Sequence, residues 1–199
     1  MINNLATILT SFTILLGALS GLILAIIKLQ NTIKNNLPKI MQKQVNNNLL
    51  IYNLLNEILV KFNCDRVQIY DFHNSERYMN GFHALKMSCT YEVCKPNVKQ
   101  CQDQLQNIPI NCQPHFVSNL LENKTLFINN IKSIKETMTA TYNFKTKLKI
   151  KSFYDIIIFK NNAPTSFLAI QYCNEEHNIT KNEEIMLHEY KVQLENLLK

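Results

Sequence analysis

The sequence predicts an α/β protein of the α+β kind: an N-terminal transmembrane helix and a linker helix, then an antiparallel sheet flanked by helices. Three observations point there. No charged side chain occurs from Met1 to Ile27. Beyond residue 62 the apolar period falls from 3.6 to 2 in several short runs. The last twenty residues return to a helical stripe, announced by a capping signal.

The run from Leu5 to Ile27 is nearly continuous Leu, Ile, Ala, Thr, Ser and Gly. At 1.5 Å per residue, roughly 20 such residues cross a hydrocarbon core about 30 Å thick, with every backbone hydrogen bond closed inside the helix. A cleaved signal peptide is the competing reading. It needs Lys or Arg ahead of the apolar core and a small-residue cleavage site, whereas only Asn3 and Asn4 precede this run and no convincing A-x-A follows it. Lys28, Lys34, Lys39 and Lys43 come next, with no acidic residue before Glu57. Positive charge marks the cytoplasmic flank, so the N-terminus is expected outside and the C-terminal domain in the cytoplasm, with these lysines on anionic lipid headgroups. Gly17, Gly21 and Ala25 place small residues on one helix face, two of them among only three glycines in the chain. Such a face lets two membrane helices approach closely and predicts a homodimer; ordinary glycine tolerance in membrane helices is the alternative.

The expected domains are therefore 1–27, the membrane helix; 28–45, a basic linker helix; and 46–199, a cytoplasmic domain. The formal net charge of +6 sits largely in the juxtamembrane lysines. That suits a lipid surface and argues against nucleic acid as a partner. Six cysteines, at 64, 89, 94, 101, 112 and 173, read as free thiols in a cytoplasmic domain, a local disulfide aside. Cys94, Cys101, Cys112 and His115 lack the C-x-x-C spacing of a zinc knuckle, so no metal site and no cofactor is assigned.

Residues 28–62 read as helix. Ile33, Leu37, Ile40, Ile51, Leu54 and Ile58 fall on one seam that Gln44 and Asn47 interrupt. Pro38 is expected to break the helix near Leu37, with resumption over 46–62. The resumed part either pairs with its counterpart in a dimer or packs on its own domain. Arg66–Phe72 reads as a strand, His73–Gly81 as turn-rich, and Leu85–Val93 as a strand whose Leu85, Met87, Cys89, Tyr91 and Val93 alternate with Lys86, Ser88, Thr90 and Glu92. Residues 95–114, with Pro96, Pro109 and Pro114, are a surface excursion; a short helix over 115–122 and a strand over 125–129 follow. Residues 131–143 are helical or irregular. Lys149–Lys160 and Ser166–Tyr172 form a hairpin about Asn161-Asn162-Ala163-Pro164-Thr165, and Ile156–Phe159 suggests burial on both faces. Lys145, Lys147, Lys149 and Lys151 alternate as an edge strand would, lysine there resisting aggregation or facing an anionic surface. The final helix is capped by Thr180 and Glu183, with Leu187, Tyr190, Leu194 and Leu197 as its stripe.

This order resembles the GAF domain, a cytoplasmic sensor fold related to PAS. The likeness is carried by KSFYDIIIFKNNAPTSFLAIQY followed by ITKNEEIMLHEYKVQLENLL. Ser152 stands where the family often has Ser, whereas Ile157 stands near its usual Pro and Ser166 near its usual Gly. The stretch IYDFHNSERYMNGFHALKMSCTYEV is similar to small GAF-like proteins carried by bacteriophages. Together the likenesses span residues 46–199. They imply a membrane-anchored, non-enzymatic sensor or docking module with a small-molecule ligand or protein partner; the alternative is a phage-encoded membrane protein of infection, virion structure or lysis that uses the fold as scaffold. The NK-x-F pattern associated with cyclic nucleotides is absent.

GAF-like folds place the ligand over one face of the sheet. On that expectation Asp71, His73, Asn74, Lys86, Ser88, Thr90 and Glu92 are the candidate ligand-binding residues; the alternating four on the second strand are equally the solvated side of an amphipathic strand. His73 near Asp71 and Glu76 has the pKa range for proton transfer. No nucleophile accompanies it in a recognised motif, so no catalytic residue is assigned.

Overall fold

A computed structural model of the chain describes residues 2–77, 81 and 83–198, with side chains for these apart from 2–13, 35, 75–77, 83 and 84. Part of the expected turn, residues 78–80, and the Glu76 side chain lie outside that description. The chain divides into two units, Met1–Asn46 and Asn47–Lys199.

Helix α1 runs over Ile2–Lys61 and contributes to both units. Pro38 lies inside it rather than ending it. Proline forfeits one N–H and crowds the carbonyl four residues back, a cost of about 3 kcal/mol in a helix interior. Strong helix formers on both sides, Leu37 before it and Lys39, Met41, Gln42 and Lys43 after it, keep the rest of the ladder intact. Within the first unit Ser20 Oγ donates to Gly17 O at 2.9 Å and Thr32 Oγ1 to Lys28 O at 2.9 Å, so these hydroxyls are satisfied by their own helix. From Ile14 to Ile27 the large apolar side chains are exposed, and the helix is long and apolar enough to cross a membrane.

The second unit is built on a six-stranded antiparallel sheet in the order β3-β2-β1-β6-β5-β4. Strand β1 is Arg66–Arg77, β2 His83–Cys94, β3 Ile108–Pro109, β4 Thr125–Ile128, β5 Ser152–Lys160 and β6 Ala163–Tyr172. Helix α2 covers Pro114–Asn123, α3 Thr139–Lys147 and α4 Lys181–Leu197. Two hairpins, β1–β2 and β5–β6, are joined side by side through β1 and β6. The β5–β6 link is a two-residue turn of Asn161 and Asn162, at φ 51° and 63°. Both central residues of a type I′ turn need positive φ, and asparagine tolerates it.

Each face of the sheet carries a core. On the first face Ile51, Leu55 and Ile58 of α1 and Leu187 and Leu194 of α4 meet Val67, Ile69, Ile156, Ile158, Leu168 and Ile170. On the second, Phe116 and Leu120 of α2 with Ile131, Ile134 and Met138 meet Tyr70, Met87, Phe153, Ile157 and Phe167. Tyr70 and Phe167 stack there at 4.7 Å. The Ile156–Ile158 run is apolar throughout because β5 is buried on both sides. Helix α4 begins as expected: Thr180 Oγ1 accepts from Glu183 N at 3.3 Å, and Glu183 Oε2 accepts from Thr180 N at 2.8 Å.

Besides Pro38, three expectations need correction. First, β1 runs on to Arg77 and β2 begins at His83, so the pairing continues into the segment read as a turn. Second, β2 does not alternate evenly. Ile69 pairs with Tyr91 but Tyr70 with Cys89, so Thr90 is an extra, bulged residue, its hydroxyl donating to Ile69 O at 3.3 Å. A one-residue bulge exchanges the two faces of a strand. Met87 and Cys89 therefore enter the second core, while Val93 enters the first with Tyr91 against it. Third, the alternating lysines do not form an edge strand. Lys145 and Lys147 belong to α3, and β5 starts only at Ser152. Helical spacing buries Thr141 and Lys145 together, one turn apart.

Candidate ligand-binding site

The seven sequence-predicted residues do not converge. Asp71, His73, Lys86 and Ser88 share the first face, because Asp71 pairs with Ser88 and His73 with Lys86. Asp71 Oδ1 accepts from Ser166 Oγ at 2.6 Å, and His73 Nε2 lies 2.9 Å from Ser88 Oγ. Ser88 Oγ also accepts from Asn107 N at 2.8 Å. Asn74, with His73 and Phe72, borders a cavity of about 330 Å³ whose other walls are mainly apolar: Leu85, Ile110, Val117, Leu121 and Pro164. Thr90 is held by the bulge. That same bulge carries Glu92 to the second face.

There Glu92 is part of a buried polar network that the sequence reading missed. Its Oε1 accepts from Gln68 Nε2 at 2.7 Å, and its Oε2 from the backbone N–H of Cys101 at 2.8 Å and Gln102 at 3.0 Å. Arg66 Nε lies 3.3 Å from Glu92 Oε1 in an ion pair whose angle gives that N–H no hydrogen bond. Arg66 donates from Nη1 to Gln171 Oε1 at 3.0 Å and from Nη2 to Lys99 O at 2.8 Å. Gln171 in turn donates to Gln68 Oε1, as does the Tyr70 hydroxyl. Buried charges need pairing of this kind to offset their lost hydration. The sequence signal was present but quiet: Gln68 and Gln171 are polar residues flanked by apolar neighbours near the ends of their strands.

A second buried pair lies deeper. Lys145 Nζ of α3 sits 3.2 Å from Asp155 Oδ2 on β5, both side chains almost wholly buried. The ammonium also lies over the Phe153 ring at 4.2 Å and the Phe116 ring at 5.4 Å. Burial pushes the Asp155 carboxyl up to about 6, against the opposing pull of Lys145. Its Oδ1 has no hydrogen-bond partner. A lone carboxylate in FYDIIIF announces that a partner is needed, though not which one.

A cleft of about 500 Å³ lies at the end of the sheet where β1 starts and β6 ends. One wall is the segment after β2, with Asn97, Lys99 and Cys101; the other is the turn from α3 to β5, with Lys147, Leu148 and Lys149. Arg66, Cys173 and Asn174 complete it. Lys149 stands at φ 61°, a left-handed conformation in which glycine or asparagine is usual after a helix. Burial pushes the Cys101 thiol up to about 12 even beside Arg66, and Cys94 up to about 11. These thiols stay protonated at neutral pH and are poor nucleophiles. Asp65, next to the cleft, is pushed up by burial but held below the usual carboxylate range by hydrogen bonds from Asn174 and Cys173. Cys112 is exposed, and among the described residues no three metal-ligating side chains gather. The cleft presents charge and hydrogen-bond donors to whatever enters it.

No protein-family model matches the chain, and comparison with curated proteins finds no match. Solved structures do match. The GAF domain region of a Geobacter sulfurreducens protein superposes with a TM-score of 0.60 at 17% identity, over 80% of this chain and 97% of that one. The blue-light absorbing form of the Thermosynechococcus elongatus PixJ GAF domain gives 0.60 at 17%, over 78% and 88%. A Synechocystis GAF domain in its photoproduct state gives 0.59 at 15%, over 75% and 90%. The fold of this protein is GAF-like.

Proposed function

We propose that this protein is a membrane-anchored, non-enzymatic sensor or docking module, dimeric through its membrane helix. The observation that carries the reading is the presence in one chain of a GAF-like domain and a helix whose exposed apolar length suits a bilayer. The lysines at 28, 34, 39 and 43 support a cytoplasmic position for the domain by the positive-inside rule. GAF-like folds of this kind serve as input domains, and the cleft described above gives a ligand or partner a place to act.

Alkaline extraction of membranes from cells making the full-length protein tests the anchor, with retention in the pellet expected. Protease added outside intact cells should leave the C-terminal domain uncut. Self-association measured in membranes should fall when Gly17 and Gly21 are both changed to Leu. Release of the protein by alkali, or cleavage of its C-terminal domain from outside, would refute the reading.

A further inference from the structure

We infer that the cleft at the end of the sheet binds a phosphate-bearing anion, a phosphomonoester or polyphosphate, either free or as a lipid headgroup. The inference deepens the sensor reading and rests on it for its biological role.

Four cations line the cleft, Arg66, Lys99, Lys147 and Lys149, and no carboxylate does so among the described residues. The protein neutralises only the first. The buried Glu92 pairs with Arg66, while the lysines with carboxylate partners are elsewhere: Lys95 with Asp65, Lys145 with Asp155 and Lys191 with Glu195. Lys99, Lys147 and Lys149 form no ion pair among the described residues. Cationic side chains lining one partly enclosed space repel one another, and a multiply charged anion relieves that repulsion.

The site is also organised in advance. Arg66 is fixed by Gln171 Oε1 and by Lys99 O, and the second contact fastens one wall of the cleft to its floor. On the other wall, Lys151 Nζ donates to Asn174 O, which holds the start of β5 against the chain leaving β6. Lys149, like Lys124 after α2, ends its helix in a left-handed conformation, which fixes the course of the chain at this wall. At about 500 Å³ the cleft falls within the usual range of roughly 300–1,000 Å³ for small-molecule sites. The middle of the second sheet face is filled by Phe116, Leu120, Phe153 and Phe167. A neighbouring cavity of about 420 Å³ mixes the two signs, with Asp65, Glu175, Glu176 and Glu183 in its lining beside Lys61 and Lys95.

The test uses the full-length chain. In neutral detergent at constant ionic strength, inorganic pyrophosphate and ATP serve as soluble probes, with thermal unfolding and equilibrium binding as readouts. In nanodiscs, phosphatidylcholine with and without phosphatidic acid serves as the headgroup probe. Stabilisation of the native chain is expected. The Lys147→Gln/Lys149→Gln variant should bind about tenfold more weakly or worse. Both side chains are exposed, so the fold should survive, and Lys147→Arg/Lys149→Arg should restore binding. A lysine-dependent response to the soluble probes identifies a free phosphate ligand; one confined to phosphatidic acid discs identifies a headgroup. No response to any probe, or an equal response from the Gln variant, overturns the inference. Alkaline extraction of the same protein reports on the anchor independently, so failure of the cleft and failure of the sensor reading are separable.

Discussion

At the scale of single residues, the Lys145–Asp155 pair shows how burial changes the effect of a charge. Removing one member leaves the other desolvated and uncompensated, which costs about 3–5 kcal/mol, whereas replacing both by apolar groups is often neutral or stabilising. Lys145→Met should therefore destabilise strongly in chemical denaturation, and Lys145→Met/Asp155→Leu should recover most of the loss. Asp155 also predicts a pH dependence. Its folded pKa of about 6 lies above the ordinary 3.8, so the folded state takes up this proton more readily than the unfolded chain. The associated stability is fully present below about pH 4 and is lost as pH rises through 6. Unfolding curves between pH 4 and 7.5 should show the native protein losing stability relative to Asp155→Asn across that window; parallel curves would contradict the assignment. At Lys149 the left-handed backbone disfavours a side chain by about 1 kcal/mol. Lys149→Gly should thus raise the melting temperature while weakening pyrophosphate binding, separating stability from function in one variant.

Among the secondary-structure elements, the sequence was most legible where a local rule had no competitor. The capping box of α4, the Asn161-Asn162 turn and the doubly buried Ile156–Ile158 run each follow from residue chemistry within a few positions. Thr180→Ala should cost about 1 kcal/mol in thermal unfolding, the usual worth of an N-cap. Legibility failed where a distant partner decided the outcome. Strict alternation in β2 hides the Thr90 bulge, because only the register against Ile69 and Tyr70 reveals it. Four alternating lysines imitate a strand, yet Lys145 is drawn into a helix turn by Asp155, ten residues away. The candidate site suffered most: the bulge parts Glu92 from Asp71 and His73, and the basic cleft is assembled from segments more than a hundred residues apart. Deleting Thr90 should remove the bulge and leave Tyr91 and Val93 on the first face, so cooperative thermal unfolding should be retained; loss of cooperativity would show that the bulge itself is needed.

On the scale of the whole molecule, the division between Asn46 and Asn47 suggests that the sheet unit is self-sufficient. It keeps both cores, including Ile51, Leu55 and Ile58. A fragment of residues 47–199 should be soluble and unfold in one cooperative transition by circular dichroism; a molten fragment would show that the preceding helix is needed for folding. The margins of the sheet add a last consequence. Strand β3 is two residues long and ends on Pro109, and β4 has only four residues. Long, regular outer strands invite neighbouring chains to add on, and brevity and proline both discourage this. Crowded at high local density, copies of this protein would therefore resist polymerising into filaments through their sheets, and any pairing would be left to their helices.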